Sequence, residues 1–565
     1  MFRNAFRYVA LVGAIGLGAC DLEVENPNDP DTRRVLATPA DAEALLGGYY
    51  KRWHNAMYNG NPPGNFEGMA NIMSFQNYSS LANNCQNARA PFAGVANTNT
   101  PGNVCAGEQN STYSIHSEVA RVASSFLRQM DDAVAGGGSF LGTPARDGRA
   151  RSYAEFLRGV SFGYMAMFYD SAAVPSAQMA GDDPGVLLNY TEVADSAYAA
   201  LQRASDIALA TPAGGDGFPL PFSWLPSPTT FTAAEFSKLI RSYRARFMAG
   251  MGRTPTERAA ANWTEIIADA AAGITADHMN TTSTTGGPFG GWRRIGNGAG
   301  LWHQMPPFII GMGDTSGTYA AWIAQPVGER GAGNQSFFMV TPDLRFPQGE
   351  TRAAQRADFL RDSCNAASTP CERYFVNRDP GGDQFAGLGW GWSNYDFVRF
   401  NSWVVSGDGT GLNGNLVFMD KTEIDMIRAE GLIRAGQYQA AADLINLTRV
   451  PNGLPAVSGT ADGGAALTGN ACVPKRPTPA GTVICGDLME AMKWEKRIET
   501  SYTHFAAWWI DHRGWGDLAE GLPLFWAVPY QDLQARGYST GQLYGAGPGV
   551  GMAPNSVAGP STYGW

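Results

Sequence analysis

Apolar residues recur three and four apart through several long stretches of this chain, and each such stretch predicts an amphipathic helix. Tyr153, Phe156, Leu157, Val160, Tyr164, Met167 and Phe168 keep one apolar stripe. Val193, Ala197, Leu201, Ala204 and Ile207 form a second stripe after Thr191, and Phe236, Leu239, Ile240, Tyr243 and Phe247 form a third. The third opens with Thr232 and Glu235, a spacing that lets a hydroxyl cap the first free backbone N–H groups while the carboxylate reaches back. Thr38-Pro39-Ala40-Asp41 opens a helix predicted to run to about Tyr58, and Thr254-Pro255-Thr256-Glu257 repeats the device. Aromatic and methionine residues at these spacings read as core.

The sharpest local pattern lies at 421–449. A helix from Thr422 to Arg434 is followed by a turn at Ala435-Gly436 and a second helix from Tyr438. The spacing of Gly436, Tyr438, Ala441 and Ile445 matches the second half of a tetratricopeptide unit, with Ala429 as the small residue of the first helix. Residues 39–58 with 113–135, 151–210 and 231–275 read as three further helix pairs. The expected fold is mainly α, a tetratricopeptide-like spine of about four helix pairs with long inserted loops. Those loops, 59–112, 276–419 and 450–485, are dense in Gly, Asn, Thr and Trp without sustained period, and connections of such length are usually functional or disordered.

The N-terminus has a different character. Arg3 and Arg7 precede an apolar run from Val9 to Leu17, which ends in Leu17-Gly18-Ala19-Cys20. The run falls short of the roughly 20 apolar residues that span a bilayer and suits a signal peptide. Residues 1–19 are therefore expected to be removed, with Cys20 carrying the lipid, 20–36 forming an acidic, Asn- and Pro-rich tether, and 37–565 folding as one interleaved domain. Six further cysteines fall into three local couples, Cys85 with Cys105, Cys364 with Cys371 and Cys472 with Cys485. An even count in an exported chain favours disulfides. A metal site is disfavoured, because no couple has C-x-x-C spacing and no histidine lies close by.

The formal net charge of −10 argues against nucleic acid, which calls for a basic footprint. Enzyme signatures are missing from the sequence: no G-x-S-x-G elbow, no H-E-x-x-H and no Walker loop. The six histidines, at 54, 116, 278, 303, 504 and 512, show no metal-ligand spacing. Asp182-Asp183 and Asp408-Gly409 read as turn residues without the alternating acids of a calcium loop. No catalytic residue, metal or cofactor is expected.

Four segments occur in a telling order: Cys20 to Asn28 with Ala37-Thr38-Pro39-Ala40-Asp41; Tyr153 to Gly159 running to Phe168-Tyr169-Asp170 and Val174-Pro175; Ile427-Arg428-Ala429-Glu430-Gly431 through Ile445 to Arg449; and Glu495 to Glu499 with Trp509-Ile510-Asp511-His512-Arg513-Gly514-Trp515-Gly516. Together they resemble the RagB/SusD family of outer-membrane lipoproteins. His512 and Gly514 depart from the commonest form of the last signature. The resemblance covers nearly the whole chain and implies a SusD-like lid on the cell surface. Such a lid captures an oligosaccharide or similar oligomer and delivers it to a TonB-dependent transporter of the SusC type, with the lipid as membrane attachment. A secreted glycosidase, or a surface adhesin without a transporter, is the alternative.

Sugar C–H faces stack on indole and phenol rings while hydroxyls bond to amides and charged groups, so a glycan loop should interleave these types. Three stretches do so, and the ligand candidates within them are Phe75 and Tyr78; Trp292, Trp302 and Trp322; and Trp390, Trp392 and Tyr395. Gln76, Asn77 and Asn394 are polar neighbours in the same stretches. Trp508, Trp509 and Trp515 are expected to pack the C-terminal region against the helices, and Glu495, Arg497 and Glu499 to form a buried charge network.

Overall fold

A computed structural model describes residues 38–58, 66–79, 99–102, 107–176, 179, 183–212, 214–283, 287–288, 303–326, 329–330, 337–360, 371–377, 393–405, 413–459, 467–469, 472–504, 506–519, 522–538 and 563. The chain divides into two units, Met1–Leu45 and Leu46–Trp565. Of the first, Thr38–Leu45 is described: Thr38 Oγ1 accepts from the Asp41 N–H at 3.2 Å and donates to its carboxylate at 2.6 Å. The expected signal peptide, Cys20 and the tether lie outside the described residues.

The helices are α1 (Pro39–Tyr58), α2 (Phe66–Met73), α3 (Gly107–Ala135), α4 (Pro144–Phe168), α5 (Tyr190–Ala210), α6 (Ala233–Gly250), α7 (Pro255–Ala259), α8 (Trp263–Ala271), α9 (Pro307–Ile310), α10 (Thr318–Ile323), α11 (Arg352–Asp358), α12 (Asn401–Val405), α13 (Lys421–Arg434), α14 (Tyr438–Arg449), α15 (Leu488–Thr500), α16 (Ala507–Trp515) and α17 (Tyr530–Ala535). The strands are short: β1 (Tyr78–Ser79), β2 (Ser171–Ala173), β3 (Leu187–Asn189), β4 (His278–Thr282), β5 (His303–Gln304), β6 (Phe375–Asn377), β7 (Tyr395–Phe397), β8 (Gly414–Met419), β9 (Lys475–Pro477) and β10 (Val483–Cys485). They form two-stranded antiparallel pairs, β1 with β5, β2 with β3, β4 with β8, β6 with β7 and β9 with β10.

The helices stack in sequence. Helix α4 packs on α3 and α5, α5 on α6, α6 on α8, α8 on α13, and α13 on α14 and α15. The apolar stripes explain this order, since each buries against its neighbours: Tyr153, Phe156, Leu157, Val160, Tyr164, Met167 and Phe168 are all inaccessible. Close approach needs small residues. A Cβ at Gly163 would lie 2.4 Å from the Phe247 ring, so glycine lets α4 meet α6. At the α13–α14 turn Gly436 has φ 73°, a conformation that disfavours any residue with a Cβ. Ala429, Ala441 and Ile445 are fully buried in one cluster with Met492 and Trp515, as the tetratricopeptide spacing requires.

Helix starts follow the capping signals. Thr232 and Thr254 accept from the N–H groups of Glu235 and Glu257 at 3.3 and 3.2 Å. Three boundaries differ from the sequence expectation. Helix α4 begins at Pro144 rather than near 151, capped by Thr143 through the Arg146 N–H. Thr143-Pro144-Ala145-Arg146-Asp147 carries the same signature as Thr38-Pro39, ahead of the apolar stripe. Helix α3 begins at Gly107, six residues before the expected 113. Helix α5 is capped by Asn189, whose side chain receives the Thr191 and Glu192 N–H groups in a full capping box.

The C-terminal signature forms the buried charge network its sequence suggests. Glu495 lies 2.8 Å from Arg345 and 3.3 Å from Arg449, and Glu499 lies 3.0 Å from Arg345 and 3.3 Å from Arg399. Arg497 pairs with Asp517 at 2.5 Å and donates to His512 Nε2 at 2.8 Å. Trp508 donates its indole N–H to the Arg497 carbonyl at 2.7 Å, and Trp515 donates to Glu430 at 3.2 Å. The aromatic-Asp turn after α4 is tied to this region, because Asp170 Oδ1 accepts from the Val528 N–H at 3.0 Å. Burial pushes the Asp170 carboxyl up to about 7.

Candidate functional site

The three aromatic-bearing stretches singled out in the sequence are far apart in the chain, and short strands bring parts of all three together. In the β1–β5 pair Tyr78 faces Gln304 and Ser79 faces His303. The next residue, Met305, donates its N–H to the Tyr395 carbonyl at 3.0 Å and accepts from the Ser393 hydroxyl. Segments 78–79, 303–305 and 393–395 therefore lie side by side. Trp302 and Trp392 each directly precede one of these segments in sequence. Trp292, Trp302, Trp390 and Trp392 themselves lie outside the described residues, and for Tyr78 only the backbone is described.

The remaining candidates are buried. Phe75, at φ 60°, is 2 % exposed and stacks on Phe308 with ring centroids 5.3 Å apart. Phe308 meets Trp322 edge-on at 6.4 Å, and Trp322 stacks on Tyr319 at 6.2 Å with Arg330 5.0 Å over its ring. Tyr395 is inaccessible: its hydroxyl lies 2.8 Å from Gln355 Oε1, accepts from the Met339 N–H at 3.3 Å, and is pushed up to about 12 by burial. Phe75, Trp322 and Tyr395 were expected to meet ligand, and in this structure they pack the base of the loops instead. The physical reason is that these segments carry only short helices and two-stranded pairs, so their own aromatics supply the core.

Polar groups in these stretches are buried as well. Gln76 is inaccessible, and neither atom of its amide has a hydrogen-bond partner among the described residues. A buried amide with free donor and acceptor capacity is costly unless something else completes it. It lies two residues before Tyr78, at the start of the strand that joins the three segments.

His54, His116, His278, His504 and His512 are core residues. His116 stacks on Tyr164 at 5.7 Å, and burial drives it down to about 3. His278 is likewise lowered to about 3 and His504 to about 4, so these rings are neutral in the folded protein. Among the described residues no three His, Cys, Asp or Glu side chains group as metal ligands. No helix among them is long and apolar enough to cross a membrane.

Cys472 and Cys485 are bonded, as expected, with Cα atoms 5.1 Å apart, closing the β9–β10 hairpin. Cys371 is also disulfide-bonded. Cys85, Cys105 and Cys364 lie outside the described residues.

A mainly helical, tetratricopeptide-like spine carrying long loops that meet at one place defines a class of loop-decorated helical-repeat proteins. Within that class, the chain has the SusD fold. A SusD superfamily structure from Parabacteroides distasonis is similar at TM-score 0.55 and 10 % identity, covering 88 % of this chain and 97 % of that one. A SusD superfamily structure from Bacteroides thetaiotaomicron matches at TM-score 0.52 and 15 % identity, covering 88 % and 96 %. A SusD-like carbohydrate binding protein from Bacteroides fragilis matches at TM-score 0.51 and 12 % identity, covering 94 % and 95 %. No family model and no curated protein matches the sequence.

Proposed function

We propose that this protein is a non-catalytic, lipid-anchored binder of an oligosaccharide or similar oligomer at the outer face of the outer membrane, which passes its cargo to a TonB-dependent transporter of the SusC type. The observation that carries the reading is the convergence of segments 78–79, 303–305 and 393–395, with Trp302 and Trp392 adjoining two of them. Indole side chains suit stacking on sugar faces, and these segments carry two of them next to the joined backbone in sequence. The likeness to a SusD-like carbohydrate binding protein supports the same ligand class. The lipobox ending at Cys20 supports the anchor.

A binder that must release its cargo needs only modest affinity, about −8 kcal/mol or a micromolar Kd. Glycan and peptide panels on the purified protein should return an oligosaccharide, with Trp302→Ala and Trp392→Ala weakening binding at nearly unchanged melting temperature. Product formation from the bound oligomer, seen by mass spectrometry, would overturn the non-catalytic reading. Cys20→Ala should release the protein from membranes, and co-purification of a large outer-membrane barrel with the wild-type chain tests the transporter.

A further inference from the structure

A cavity of about 510 Å³ lies away from the loop cluster, between the first turns of α5 and the α6–α8 connection. Tyr190, Ala194 and Tyr198 follow one another at four-residue spacing along α5 and supply its wall. Met248 and Met251 add two flexible apolar groups. The polar lining is dominated by acceptors: the carboxylates of Asp195, Glu257 and Glu265 belong to it, and no lysine, arginine or histidine does.

The nearby cations are already engaged. Arg244 is held between Glu265 and Asp269. Arg253 lies 3.5 Å over the Tyr190 ring, 3 % exposed, and donates to the carbonyls of Ala166 and Tyr169 at 2.9 and 2.6 Å. Glu257 accepts the Arg253 N–H at 2.7 Å and a side-chain hydrogen bond from Tyr190, and its charge is felt by the buried Arg253 guanidinium. Asp195 is exposed and has no hydrogen bond or ion pair among the described residues.

From this geometry we infer that the cavity receives the side chain of an arginine or lysine presented by a polypeptide. Such a side chain has an apolar stem that suits the methionine and tyrosine wall, and a head that only donates, matching a rim that mostly accepts. Tyrosine rings add attraction for a cation, and the exposed carboxylates of Asp195 and Glu257 add charge-assisted bonds. A sugar hydroxyl both donates and accepts, and this rim offers it few donors. The inference is independent of the glycan reading, since it concerns another surface and other residues.

The test uses the full-length protein with ¹³C-methyl methionine, the Met248 and Met251 methyls reporting on the cavity by NMR. The probes are the capped tripeptide Gly-Arg-Gly, its citrulline analogue and maltohexaose. The arginine peptide should shift both methyls, and the neutral citrulline analogue should bind about tenfold more weakly. Asp195→Asn and Glu257→Gln should each weaken the arginine peptide about threefold, and added salt should weaken it further. Glu257→Gln retains the helix-capping geometry of α7, so loss there reports charge. Equal binding of the citrulline peptide would overturn the inference, as would silence of both methyls with the arginine peptide. Maltohexaose shifting the same methyls in preference to the peptide would overturn it too, and would assign the cavity to polyols.

Discussion

Replacing Glu423 by glutamine should be among the most damaging conservative changes in the helical stack. Arg246 on α6 and Glu423 on α13 form a two-pronged ion pair, Nε to Oε1 at 2.7 Å and Nη2 to Oε2 at 2.6 Å. The two side chains are 2 % and 1 % exposed. Burial pushes the Glu423 carboxyl up, but the Arg246 guanidinium and then His504, 3.3 Å away, more than offset this and hold it well below the usual carboxylate range. Glutamine would keep one acceptor and turn an N–H pair toward the guanidinium, leaving Arg246 charged, buried and, among the described residues, bonded otherwise only to the Tyr164 hydroxyl at 3.3 Å. Removing one partner of such a pair costs about 3–5 kcal/mol, a large part of the 5–15 kcal/mol that typically holds a folded protein. The double change Arg246→Met with Glu423→Leu removes both charges and should cost far less. Urea unfolding followed by both circular dichroism and tryptophan fluorescence measures this, provided the two transitions coincide. A single variant within about 1 kcal/mol of wild type, or a double variant no more stable than the single, would refute the reasoning.

His116 is neutral when folded, at about 3, against an ordinary value near 6.5 in the unfolded chain. Its contribution is complete above pH 6.5 and is lost on acidification, so between pH 7 and 5 wild type should lose about 2 kcal/mol relative to His116→Phe; parallel pH profiles of the two proteins would expose this idea if wrong. Gln76→Met removes a buried amide that has no partner among the described residues, and should raise stability by about 1–3 kcal/mol, read by urea unfolding. Destabilisation by that change would show that the amide is bonded in solution. Joint replacement of Cys472 and Cys485 by alanine opens a loop of sequence separation 13 and should cost up to about 3 kcal/mol, read by unfolding under non-reducing conditions. Free thiols at either position in wild-type protein, found by peptide mapping, would remove that prediction.

Local chemistry made much of this protein legible from its sequence. Thr232, Thr254 and Thr38 cap helices because a hydroxyl at that spacing is the nearest acceptor for free N–H groups, whatever the fold around it. Gly436 marks the α13–α14 turn because a positive φ is a property of one residue. Cys472 and Cys485 pair because the intervening chain is short enough to keep them close. Tertiary structure alone decided what depends on distant neighbours. Periodicity shows which residues of a helix are apolar, but Phe75, Trp322 and Tyr395 sit in segments without period, where an aromatic ring looks the same whether it meets sugar or Phe308, Tyr319 and Phe346. The pairings of Tyr78 with Gln304 and of Arg246 with Glu423 likewise left no local trace. The acceptor-rich cavity joins α5 to the α6–α8 connection across more than fifty residues of chain, a juxtaposition set by how the helices stack and by nothing in either segment read alone.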